Sequence, residues 1–89
     1  MAGQLRGSIN FDSPVPIYVQ LAGILRDNIR QGVIRPESRM PTQKDLVETF
    51  EVSRGTAARA VSILTDEGWL VVSRGKGVYV RPSSEFPGD

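Results

Sequence analysis

Between Ile17 and Ile29 the apolar residues Ile17, Leu21, Ile24, Leu25 and Ile29 recur at helical spacing, with Tyr18 and Ala22 flanking them. That rhythm predicts an amphipathic helix with one buried face, opening behind Pro14 and Pro16 and ending near Gly32. A second, shorter helix is predicted from Thr42, a good N-cap with Asp45 three residues on in a capping-box arrangement, and Leu46, Val47 and Phe50 form its apolar side. Only Glu51 and Val52 then precede Ser53, another N-cap candidate, so the second and third helices must meet at a sharp angle. In the third helix Ala57, Ala60, Val61 and Leu64 share one face, while Gly55, Arg59, Ser62 and Asp66 project to the other, which turns Arg59 away from the core. Gly68 is placed to stop this helix in a left-handed cap.

Past Gly68 the pattern changes. Trp69 to Ser73 and Val78 to Arg81 are β-rich runs joined by Arg74-Gly75-Lys76-Gly77, whose glycines permit a tight turn at positive φ while two cations sit at its tip. Three helices followed by a small antiparallel β-hairpin give an α+β fold, a winged helix-turn-helix with a basic wing. Residues 14–81 would make this domain. Residues 1–13 are polar and aperiodic and are expected to form a flexible N-terminal arm; residues 82–89 have the composition of a C-terminal tail or linker.

Composition narrows the chemistry. An 89-residue chain has room for one modest core and no second domain. With no Cys and no His it offers neither thiolate metal sites nor a neutral-pH general base, so no metal or cofactor is implied. The sequence also disfavours an enzyme, because the lone Gly75-Lys76-Gly77 lacks the strand–loop–helix context of a phosphate-binding loop. No apolar run approaches the roughly 18 residues of a membrane span, and Met1 to Ser13 lacks the apolar segment of a signal peptide. A reducing cytoplasm is therefore the expected setting. The net charge of +1 says little about partners; the placement of the cations says more.

Double-stranded DNA is the partner that this placement fits. Backbone N–H groups at the start of the third helix, with the hydroxyls of Ser53 and Thr56 and the small Gly55 beside them, can hold a phosphate and set the helix in register on a duplex. Arg54 and Arg59 are long enough to reach guanine O6 and N7 in the major groove, and Lys44, at the start of the preceding helix, can touch base or phosphate. Arg74 and Lys76 on a narrow hairpin can enter the adjacent minor groove, where Gly75 and Gly77 let the backbone approach sugar and phosphate. Trp69 is assigned to the core because it sits at a helix–strand junction beside Leu70, and Tyr18 and Tyr79 are assigned mainly to packing. A winged helix can also serve as a protein–protein interaction module without specific DNA binding; a basic rather than apolar face on the third helix and wing favours DNA.

These residues resemble the N-terminal DNA-binding domain of GntR-family bacterial transcription regulators over about Pro16 to Val80. The resemblance rests on Pro16-Ile17-Tyr18 with Gln20, on Gly32, on Met40-Pro41-Thr42, on Val52-Ser53-Arg54 with Thr56, on Gly68, and on Arg74-Gly75-Lys76-Gly77-Val78-Tyr79-Val80. The opening PIYVQL looks most like the HutC or YtrA branches. The resemblance implies a transcription regulator, commonly a repressor, that binds a palindromic operator as a dimer and carries a C-terminal effector-binding or dimerisation region, none of which lies within these residues. Alone, the chain is expected to be a monomer that pairs on DNA or through such a missing domain.

Three positions depart from the family pattern. The usual Pro-Ser-Glu-Arg is Pro41-Thr42-Gln43-Lys44, which replaces a forked arginine by a lysine. A frequent recognition-helix arginine falls at Ala58, which can offer a thymine only its methyl group. The common turn glycine is Glu51, which raises the question of backbone strain.

Overall fold

The computed structural model describes residues 5–88. Helix α1 spans Ile17–Arg30, α2 Gln43–Phe50 and α3 Arg54–Glu67, followed by strands β1, Leu70–Ser73, and β2, Gly77–Val80, and a 3-10 turn at Ser83–Glu85. This is the three-helix winged fold that the hydrophobic pattern predicts, with hairpin bounds that differ by one residue. Trp69 is the junction residue before β1, and Gly77 already pairs with Ser73 at the start of β2.

Side-chain caps fix where α2 and α3 start, whereas α1 opens behind Pro16 with no such cap. Thr42 Oγ1 accepts from Asp45 N at 3.1 Å, and Asp45 Oδ2 accepts from Thr42 N at 3.1 Å, a complete capping box. Ser53 Oγ caps α3 by accepting from Thr56 N at 3.0 Å. Gly68 closes α3 at φ 97°, and Gly32 leaves α1 at φ 79°. The turn between α2 and α3 passes through Glu51 at φ 56°, ψ 47°, a left-handed conformation in a residue with a Cβ. Its neighbours Phe50 and Val52 are both buried, which anchors the turn from either side.

The core lies where the helices meet the root of the hairpin. Leu21, Ala22, Leu25 and Ile29 of α1, Leu46 and Phe50 of α2, and Ala57, Ala60 and Leu64 of α3 pack with Ile34, Met40, Val52, Trp69, Leu70 and Val80. Val47 and Val61 are only partly buried, at the margins of the faces assigned to them. Ala57 and Ala60 are fully buried where α3 packs on the other helices. Trp69 is buried as expected, with Phe86 at 5.1 Å between ring centroids and the Arg30 guanidinium 5.1 Å from its ring.

Two features were not legible as elements. Ser38 to Met40 runs along the outer edge of β2: Met40 N donates to Val78 O at 2.8 Å, Val80 N to Ser38 O at 2.8 Å and Glu37 N to Val80 O at 2.9 Å. β2 is therefore hydrogen-bonded on both sides, to β1 on one and to this stretch on the other. Secondly, residues 5–13, expected as a flexible arm, lie against α1. Asn28, 2% exposed, both accepts from Arg6 N and donates to Arg6 O at 2.8 Å. Gln20 repeats the arrangement with Asn10, accepting from its N–H at 2.9 Å and donating to its carbonyl at 3.0 Å. A side-chain amide matches a backbone peptide in donor and acceptor, so α1 holds the segment as a neighbouring strand would. Residues 1–4 of the expected arm and residue 89 of the expected tail lie outside the described residues.

Candidate nucleic-acid interface

The start of α3 is built from the Ser53 cap outward. Ser53 Oγ accepts from Thr56 N and donates its own hydrogen to Thr56 Oγ1 at 2.9 Å, so the Thr56 hydroxyl keeps its proton for another acceptor. Ala57 N is already bonded to Ser53 O. The amides of Arg54 and Gly55 precede the first intrahelical bonds and belong to exposed residues. Two backbone N–H groups, a hydroxyl and the positive end of the helix dipole thus converge on one exposed spot, an arrangement that attracts an anionic oxygen. A Cβ added at Gly55 would meet nothing closer than Ser53 Oγ at 3.9 Å, so the surface there is open.

The cations expected around this spot are all exposed: Lys44 on the first turn of α2, Arg54 and Arg59 on α3, and Arg74 and Lys76 on the hairpin. Arg54 and Arg59 are the only cations in α3. The acids at its far end are set apart from them, with Glu67 held by Arg26 of α1 through hydrogen bonds of 3.0 and 3.1 Å. Arg59 points away from the core, as its helical phase requires, but its guanidinium carbon stands 4.1 Å from the centre of the Tyr18 ring. Tyr18 therefore does more than fill space.

Arg74 to Lys76 form a tight turn closed by a bond from Lys76 N to Ser73 O at 3.0 Å. Gly75, at φ 74°, occupies the turn position that needs a positive φ, and Gly77, at φ 119°, starts the returning strand. Both glycines and both cations are exposed. The hairpin and the start of α2 are joined through Ser38 to Met40, which pair with β2 immediately before Pro41 and the Thr42 cap.

The same stretch carries a cation that sequence reasoning passed over as a site residue. Arg39 lies beside the root of the wing, with its guanidinium 5.6 Å from the Tyr79 ring centre, Nη2 donating to Tyr79 Oη at 3.2 Å, and Nε 3.8 Å from where a Cβ on Gly77 would stand. The sequence shows Arg39 as one basic residue in a loop. Only the pairing of that loop with β2 brings it to the wing.

No described helix is long and apolar enough to cross a membrane. Comparison with known proteins matches this architecture and its sequence together. The chain is 37% identical over 79 residues to the HTH-type transcriptional repressor NagR of Bacillus subtilis, covering 88% of this chain and 32% of that protein. It is 41% identical over 68 residues to the histidine utilization repressor of Klebsiella aerogenes, covering 76% of this chain and 28% of that protein. The chain thus spans about a third of the length of the curated relatives it matches. Among solved structures, AraR(DBD) in complex with operator ORX1 superposes with a TM-score of 0.72 at 30% identity, covering 84% of this chain and 99% of that one. YtrA from Sulfolobus acidocaldarius, a GntR-family transcription factor, superposes with a TM-score of 0.75 at 32% identity, covering 86% and 65%. The family model for bacterial regulatory proteins of the gntR family matches residues 17–80, the three helices and the hairpin together, and this chain belongs to that family.

Proposed function

We propose that this chain is the operator-reading domain of a bacterial transcription regulator, most simply a repressor, and that it binds double-stranded DNA with α3 in the major groove and the wing at the adjacent minor groove. The observation that carries the reading is the exposed start of α3, where the Arg54 and Gly55 amides and the Thr56 hydroxyl converge beside Arg54. A phosphate seated there fixes the register; Arg54 and Arg59 then face base edges, Lys44 reaches base or phosphate from α2, and Arg74 to Gly77 follow the backbone into the minor groove. The repressor relatives and the operator complex of AraR(DBD) support the same assignment. Operators in two half-sites would take two copies, each reading one half-site about one helical turn from the other.

Selection of bound duplexes from a random library tests the reading and returns the half-site. Counterion release from several phosphate contacts predicts a log–log salt slope of about −0.9 per contact, and affinity that stays flat between low and physiological salt would refute it. Arg59→Ala should cost about 1–3 kcal/mol of binding, whereas Lys76→Ala should weaken all duplexes more evenly. A protein-binding module would instead show no duplex preference and no such slope.

A further inference from the structure

Arg59 is exposed, yet it has a fixed seat. Its guanidinium carbon lies 4.1 Å from the centroid of the Tyr18 ring, in the first turn of α1. Among the described residues it has no carboxylate or hydrogen-bond partner, so the aromatic face is what holds it. By the helical period, Gly55 and Ser62 mark the centre of the outward face of α3, and Arg59 lies to one side of that line, over α1. Ala58 carries no reach of its own, and Arg54 is a full turn away at the N-terminus. Whatever α3 recognises beyond its first turn through a cation, it recognises through Arg59.

We propose that Tyr18 is a positioning residue for DNA recognition: it holds the Arg59 guanidinium by its flat face on the α1 side of α3, leaving the N–H donors at the rim for a bidentate acceptor. This rests on the DNA-binding reading above and adds a residue on another helix to it. An arginine in solution samples many rotamers and loses that freedom on binding; one already seated on a ring loses less, and its donors arrive in a fixed plane. The acceptor chemistry is a pair of oxygens or an oxygen–nitrogen pair about a guanidinium's width apart, which both a guanine edge and a phosphate present. A leucine at position 18 would keep apolar bulk on α1 but offer no π face. A phenylalanine would keep the face and lose only the hydroxyl.

The test is a double-mutant cycle on the 89-residue chain, with Tyr18→Phe, Tyr18→Leu, Arg59→Ala and the Tyr18→Leu/Arg59→Ala pair titrated against the selected duplex and against single-base variants of it. Tyr18→Leu is expected to weaken binding about 3- to 10-fold and Tyr18→Phe less than about twofold, in keeping with a cation–π contact. In the double variant the Tyr18 change should add nothing to the loss caused by Arg59→Ala, because the aromatic acts only through the arginine. If the acceptor is guanine, Tyr18→Leu and Arg59→Ala flatten preference at the same base position. If it is phosphate, both lower affinity evenly, and Arg59→Ala reduces the salt slope by about 0.9. Ring-current shifts of the Arg59 side-chain protons in the DNA-free protein should persist in Tyr18→Phe and vanish in Tyr18→Leu. Matched thermal midpoints would show that both variants fold. Additive losses, or a Tyr18→Phe defect equal to that of Tyr18→Leu, would overturn the role of Tyr18. Failure of the wild-type chain to select any duplex would overturn the DNA-binding reading itself, and this role with it.

Discussion

Replacing Glu51 by glycine should make the domain more stable. Glu51 sits at φ 56°, ψ 47° between α2 and α3, and holding an L-residue in that left-handed region costs roughly 1–2 kcal/mol through the approach of its Cβ to the following carbonyl. Glycine avoids the clash but orders a more flexible chain, at a cost of about 0.5–1 kcal/mol. The difference favours Glu51→Gly by about 0.5–1 kcal/mol, or about 2–8 °C in thermal midpoint for a domain of this size. The backbone has little room to relax the strain by other means, since Phe50 and Val52 on either side are buried. The Glu51 side chain is exposed and makes no hydrogen bond or ion pair among the described residues, so its removal forfeits little. Urea unfolding of wild type, Glu51→Gly and Glu51→Ala separates the causes, because alanine removes the carboxylate and keeps the Cβ. Alanine should stay near wild type and glycine should rise above both at unchanged slope. A glycine midpoint at or below that of alanine would refute the strain argument.

Thr42→Ala removes the hydroxyl that accepts from Asp45 N, one half of the capping box, and should cost about 1 kcal/mol of stability, read as a lower denaturant midpoint. Asn28→Ala strands the Arg6 N–H and carbonyl and should cost about 1–3 kcal/mol, with faster hydrogen exchange at the Arg6 amide as its local signature. Unchanged exchange at Arg6 would mean that the segment is held by Leu5 and Ile9 rather than by the amide.

The helices and their ends were legible because each depends on local chemistry: apolar spacing on α1, the Thr42 and Ser53 hydroxyls, the conformational tolerance of Gly68. The hairpin was legible for the same reason, since Arg74 to Gly77 carry their turn in their own residues. What escaped the sequence was non-local. The pairing of Ser38 to Met40 with β2 is made by backbone groups and leaves no side-chain pattern, and with it Arg39 went unnoticed as a neighbour of the wing. Asn28 reads as a polar break in the apolar face of α1 until the Arg6 peptide is found opposite it. The partnership of Tyr18 with Arg59 joins residues on two different helices, and no spacing rule spans that gap.

Because β2 is bonded along both edges, it is the middle strand of a three-ribbon strip rather than the free arm of a hairpin. A hairpin hinged at its base could swing without disturbing the rest. This strip cannot, because its outer ribbon runs directly into Pro41 and the Thr42 cap of α2. The wing and the helix-turn-helix therefore move as the two jaws of one rigid calliper. If α3 and the wing grip a duplex as proposed, one whose minor groove lies at the wrong distance from the helix-filled major groove must itself bend or narrow, so groove width becomes a property this domain can measure at base pairs it never touches.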